Sequence, residues 1–145
     1  MQEIYSCFPV AVRVQQVQTL GPAPNNPDEV EVRMFPVDGY FQRTYQLQMA
    51  QGRFFDPTRA SDSSAFVINE TLAKRLKWDN PVGKTIKFGP GEPSQTVIGV
   101  LKDFNYNSLY SDTESMVMWM SKRKPNYLSV RFDGNPAPLI SFLDR

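Results

Sequence analysis

Apolar and polar positions alternate along much of this chain, and the phase of the alternation predicts its elements. Val10, Val12 and Val14 fall on one side of an extended segment with Arg13 and Gln15 on the other, the period-two pattern of a half-buried strand. A turn-rich stretch, Gly21 to Asp28 with Pro22, Pro24 and Pro27, leads to a second such strand. There Val30, Val32 and Met34 point inward and Glu31 and Arg33 outward. Asp38 then stands where a helix cap is wanted. Behind it Tyr40, Phe41, Thr44 and Tyr45 share one helical face while Gln42, Arg43 and Gln46 point to water, so this helix is expected to lie on a sheet.

After Gly52, Arg53, Phe54 and Phe55, the polar run Asp56 to Ser64 reads as a surface loop. Ala65 to Ile68 is a short buried strand. Asn69 caps the helix that follows, with Glu70 in its first turn, Leu72, Ala73 and Leu76 on its core face, and Lys74, Arg75 and Lys77 toward its end. Asn80, Pro81 and Gly83 turn the chain into a strand beginning Thr85, Ile86, Lys87 and Phe88, which Gly89, Pro90, Gly91 and Pro93 interrupt. Val97, Ile98, Val100 and Leu101 form the most continuously apolar strand, expected to be central, with Gly99 allowing close backbone approach. Met116 to Met120 and Tyr127 to Phe132 are two more, the latter with Leu128, Val130 and Phe132 inward. The fold class is α+β, a mixed sheet of about six to seven short strands with two to three short helices.

Pro136 and Pro138 open a final helix with Leu139, Ile140, Phe142 and Leu143 on its apolar face. It is short for a helix that must stand without packing, and both it and the start at Met1 read as the boundaries of a piece of a longer protein. With 145 residues, 41% of them hydrophobic, the chain supports one core, hence a single domain over residues 1–145. Lys and Arg number 16 and Asp and Glu 15, scattered along the sequence, which argues against nucleic acid or an anionic membrane as partner. Apolar stretches such as Phe8 to Val12 and Val97 to Leu101 fall far short of the roughly 20 residues that cross a bilayer.

Candidate chemistry is sparse. The sequence contains no histidine, which removes histidine-based triads, two-histidine zinc motifs and a histidine general base. Cys7, the one cysteine, has apolar neighbours in Phe8 and Val10 and reads as a small buried hydrophobe rather than a nucleophile. Gly83, Lys84 and Thr85 resemble the end of a phosphate-binding loop, but Trp78 occupies the position of the required glycine, and the triplet leads from helix to strand instead of strand to helix. Asn69, Glu70 and Thr71 match a glycosylation acceptor, for which helix capping is the competing explanation. Asp103 and Asp112 are the best candidates for a carboxylate pair, and Asp103 equally suits a role in receiving backbone hydrogen bonds at the turn after its strand. Phe104, Tyr106, Tyr110 and Trp119 lack the interleaved basic stripe of a base-stacking surface and read as core or partner surface. No catalytic, cofactor-binding or metal-ligating residue is assigned, no cofactor is expected, and the chain is expected not to be an enzyme.

From Val37 to Met118 a series of motifs follows in order: Tyr40-Phe41, Gly52-Arg53-Phe54, Val67-Ile68-Asn69-Glu70, Asn80-Pro81-Val82-Gly83-Lys84, Val97-Ile98-Gly99-Val100 and Lys102-Asp103-Phe104. In order and spacing this resembles the extracytoplasmic domain of MacB/FtsX-like ABC transporter permeases. The resemblance implies a domain set between transmembrane helices of its own chain and standing on the periplasmic side of the inner membrane. A separate cytoplasmic ATPase subunit or domain would drive it, a periplasmic protein or lipoprotein would be a partner, and the full transporter would be a dimer. The Lys102 to Tyr106 form is similar to permeases of Bacteroides-like bacteria, and the short stretch before Val37 implies that one lobe of the domain is reduced or absent. A free-standing secreted binding module is the alternative, and a carboxylate-based hydrolase a third reading.

Overall fold

The computed structural model describes residues 3–5, 17–20, 30–88, 91–105, 113–122 and 129–143. The predicted strand through Val10 to Val14, the Gly21 to Asp28 turn, Cys7, Tyr106, Tyr110 and Asp112 lie outside the described residues. The first described strands are β1 (Glu3–Tyr5), β2 (Val17–Leu20) and β3 (Val30–Val37), and helix α1 (Phe41–Thr44) and β4 (Met49–Gly52) come after them. A 3-10 turn at Ala60–Ser64 precedes β5 (Ala65–Asn69), α2 (Glu70–Arg75), β6 (Thr85–Ile86) and β7 (Gln95–Leu101). The chain ends in β8 (Met116–Met120), β9 (Ser129–Arg131) and α3 (Ala137–Leu143).

Among the described residues, seven strands form one mixed sheet in the order β2-β3-β8-β5-β7-β4, with β6 also paired to β7, while β1 and β9 make a separate two-stranded ribbon. The β3–β8 and β5–β7 pairs are parallel and the other pairs antiparallel. β8 and β5 occupy the middle. β7 is flanked on both sides, as its apolar run predicts, though it lies one strand from the β4 edge. Pro36 is tolerated inside β3 for a directional reason. Arg33 N–H donates to Ser115 and the Val37 carbonyl accepts from Ser121, so odd-numbered peptide groups face β8. Pro36 therefore turns its missing N–H toward the other flank, where the described pairing with β2 stops at Arg33.

The sheet is packed on both faces. Val30, Val32, Phe66, Ile68, Val97, Val100 and Val117 belong to one core, closed by Leu72 and Ala73 of α2, its C-cap Leu76, and Ile86. Phe35, Val37, Ala65, Val67, Leu101, Met116 and Met118 belong to the other, closed by Phe41 of α1 and by Phe54 and Phe55. Strict alternation along β5 assigns its residues to the two cores in turn. On β7 the alternation breaks, because Val97 and Val100 share a face although three positions apart. A bulge is the cause: Phe66 is opposite Val97 but Val67 is opposite Gly99, so Ile98 is an extra residue that shifts the phase of everything after it. Gly99 is required at that point, since a Cβ there would lie 2.1 Å from the Arg53 carbonyl oxygen.

Both early helices end alike. Gln46 and Lys77 each adopt φ of 53°, the left-handed conformation. After α1, Gln46 N–H donates to Arg43 and Leu47 N–H to Gln42. After α2, Lys77 N–H donates to Lys74 and Trp78 N–H to Ala73, which makes two Schellman endings. Leu47 and Trp78, just past these turns, pack on the two cores. The single turn of α1 buries Phe41 and Thr44 but leaves Tyr40 and Tyr45 exposed, which corrects the expectation that all four share an inward face. Asp38, expected as its cap, instead accepts from Tyr40 N–H at 2.9 Å in the turn before the helix, and the N-cap position is held by Tyr40 with no side-chain cap bond. In the terminal region, β9 ends at Arg131, one residue before the end predicted for it, and Phe132 is exposed instead of inward, while Tyr127 and Leu128 lie outside the described residues. On α3, Leu139 is buried while Ile140 and Phe142 face solvent, so its apolar face is only partly covered among the described residues.

Candidate functional site

The densest polar arrangement is at the end of the sheet where α2 begins. Asn69, almost wholly buried, accepts from Leu72 N–H at 3.1 Å as the helix cap and from Met116 N–H at 2.9 Å. Its amide also donates to the Glu114 carbonyl at 2.8 Å. One side chain thus starts α2 and fixes the start of β8 beside it. The amide that a glycosylation reading needs in solvent is inside the protein. Next to it, Asp103 accepts from Thr71 N–H at 3.0 Å and from the Thr71 hydroxyl at 2.9 Å, while Glu70 accepts from Asp103 N–H at 3.2 Å. Glu70, Thr71 and Asp103 therefore lace the helix start to the turn after β7. Arg33 closes the same end of the sheet with two bonds to the Glu114 carboxylate, 2.5 and 3.0 Å long.

A second arrangement holds the segment after β4. Arg53 forms a two-pronged pair with the buried Asp62 at 2.6 and 2.7 Å and also donates to the Phe54 carbonyl. Asp62 additionally accepts from Asp56 N–H at 2.8 Å. The Arg53 guanidinium outweighs burial and holds the Asp62 carboxyl at about 2, below its usual 3.8. Asp56 turns the loop by accepting from the backbone and hydroxyl of Thr58, and these bonds draw its own carboxyl below the ordinary range. The Asp56 to Ser64 stretch is thus a surface loop, as its composition predicts, but one built around an internal ion pair.

Gly83, Lys84 and Thr85 form a turn out of α2 into β6, with Gly83 at φ of 91° and Lys84 N–H bonded to the Pro81 carbonyl. The Lys84 ammonium stands 5.1 Å from the ring centre of Trp78, the residue that replaces the glycine of a phosphate loop. Phe104 and Trp119 pack against different cores, on opposite faces of the sheet, so these two do not form one aromatic surface. Among the described residues no group of three or more Cys, Asp or Glu converges as a metal site requires, and no helix is long and apolar enough to cross a membrane. Sequence reasoning finds the Asn69 cap, but it expects Asp103 to receive backbone hydrogen bonds at the turn after its own strand, whereas the carboxylate accepts from Thr71 at the start of α2. It misses the Arg53–Asp62 and Arg33–Glu114 pairs, whose partners carry no distinguishing local pattern.

A two-sided mixed sheet with one short helix against each face, tied at its ends by the polar side chains just described, defines an α+β domain. The MacB-like periplasmic core domain model matches residues 4–135, and the chain belongs to that family. Its fold is similar to that of the periplasmic region of MacB from Actinobacillus actinomycetemcomitans, with a TM-score of 0.61 at 17% identity over 88% of this chain and 60% of that one. A domain of a protein assigned as a permease from Porphyromonas gingivalis is similar at a TM-score of 0.57 and 16% identity, covering 99% of this chain and 65% of that one. The extracellular domain of the ABC-type transporter YknZ from Gram-positive bacteria gives 0.58 and 17%, covering 97% and 68%. The chain thus spans about 60 to 65% of the length of the first two. No curated protein matches it in sequence.

Proposed function

We propose that this chain is the extracytoplasmic domain of an ABC transporter permease, inserted between transmembrane helices of its own polypeptide on the periplasmic side of the inner membrane. In this reading it passes motion, driven by a cytoplasmic ATPase, to a substrate, lipoprotein or protein partner, performs no catalysis itself, and works in a dimeric transporter. The observation that carries the reading is the family match over residues 4–135. The topology supports it: Glu3 lies opposite Arg131 in the β1–β9 ribbon, so the strands near the two ends run side by side, as a domain inserted as a loop needs. The site chemistry agrees, since Asn69, Asp103, Arg53 and Asp62 are each engaged in joining elements of the fold. The test is the native gene on either side of this chain. Apolar runs of about 20 residues flanking both ends are expected. A lone N-terminal export signal and a stop soon after Arg145 would overturn the reading in favour of a secreted binding module.

A further inference from the structure

The β1–β9 ribbon shares no strand pairing with the seven-stranded sheet among the described residues. It meets the main body at α1, on which β9 packs. Two polar contacts mark that meeting. The Tyr45 and Ser129 hydroxyls are 2.8 Å apart, and Arg131 donates to the Thr44 carbonyl at 3.2 Å. The second places a guanidinium on a carbonyl at the end of α1, where helix carbonyls lack intrahelical donors. Ser129 and Arg131 lie on the same side of β9, so a single ribbon face makes both contacts. The first contact is exposed and the second part-buried, and the same short turn carries Phe41 into the core beneath.

We infer that the ribbon is a separate opening unit, latched to the sheet through Tyr45–Ser129 and Arg131–Thr44, that can release from α1 without unfolding the sheet. The inference deepens the permease reading by naming where motion entering near the chain ends would be passed on or decoupled, and it rests on that reading for its use. Its test does not. Amide hydrogen exchange is measured on the whole chain, comparing the parent with the Tyr45→Phe, Arg131→Gln double variant, which keeps the aromatic contact of position 45 with Phe41. Exchange at residues 3–5 and 129–131 is expected to rise about tenfold, the effect of losing two partly exposed hydrogen bonds, with β5, β7 and β8 unchanged. Ser129→Ala alone removes one contact from the ribbon side and should give a smaller rise at the same residues. An equal rise across the sheet would show one cooperative unit and overturn the inference, and so would no change in the ribbon for either variant. Failure here leaves the flanking-gene test of the permease reading untouched.

Discussion

Replacing Asp62 by Asn tests how the segment after β4 is held. The parent carboxylate is buried, takes two bonds from Arg53 and one from Asp56 N–H, and is held at about 2 against an ordinary 3.8. A folded-state value below the unfolded one means the charged form favours folding. That contribution is complete above about pH 5 and is lost as pH falls from about 4 through 2, and it amounts to ~2 kcal/mol. Asn keeps one acceptor and the size but no charge, and leaves a guanidinium that is 39% exposed and so still partly hydrated. The loss at pH 7 should accordingly be ~2 kcal/mol, below the 3 to 5 kcal/mol typical of breaking a fully buried pair. Urea unfolding of parent and Asp62→Asn at a series of pH values measures this. The gap between the two curves should narrow by ~2 kcal/mol between pH 6 and pH 2. A gap that stays constant across that range would refute the argument, because the loss would then come from packing and not from the charge.

Other substitutions probe different joints. Asn69→Ala removes the α2 cap and strands the Met116 N–H and Glu114 carbonyl in the interior, so a loss of ~3 kcal/mol in urea unfolding is expected. Gly99→Ala should cost ~3 kcal/mol or prevent folding, because the new Cβ meets the Arg53 carbonyl. Gly83→Ala, with nothing within 4 Å of its Cβ, should cost only the ~1 kcal/mol of its positive φ, and thermal unfolding of the pair separates the two cases. Lys77→Gly relieves a left-handed residue at an exposed helix ending and should raise stability by ~0.5 kcal/mol after the added freedom of the unfolded chain is subtracted.

How far the sequence predicts this fold follows from how strongly burial repeats along each element. β5, β7, β8 and α2 are all legible, because every one of them carries a run of buried apolar residues that no loop would carry. β4 is not: at the edge of the sheet its residues Ala50, Gln51 and Gly52 are exposed and show no alternation. Phe132 is misplaced by the same logic in reverse, since an apolar residue in phase with Val130 looks buried unless one knows that β9 leaves the main sheet. The motifs that carry the family resemblance mark positions with local duties, as at Asn69 and Gly99, and those roles are readable. Pairings across the fold are not. Asp62 is one of two acidic residues between Asp38 and Glu70, and no neighbouring residue distinguishes it from Asp56 as the partner of Arg53.

The extra residue in β7 governs how this chain can be compared with its relatives at 16 to 17% identity. Within Gln95 to Leu101 a gap of one position is not a neutral edit. It trades the tenants of the two cores, sending Val100 toward the α1 side and Leu101 toward the α2 side, while leaving the strand equally apolar by any composition score. An alignment guided by hydrophobicity alone would accept that trade without penalty. Positions of this chain's β7 are therefore to be counted outward in both directions from the backbone irregularity at Ile98 and Gly99.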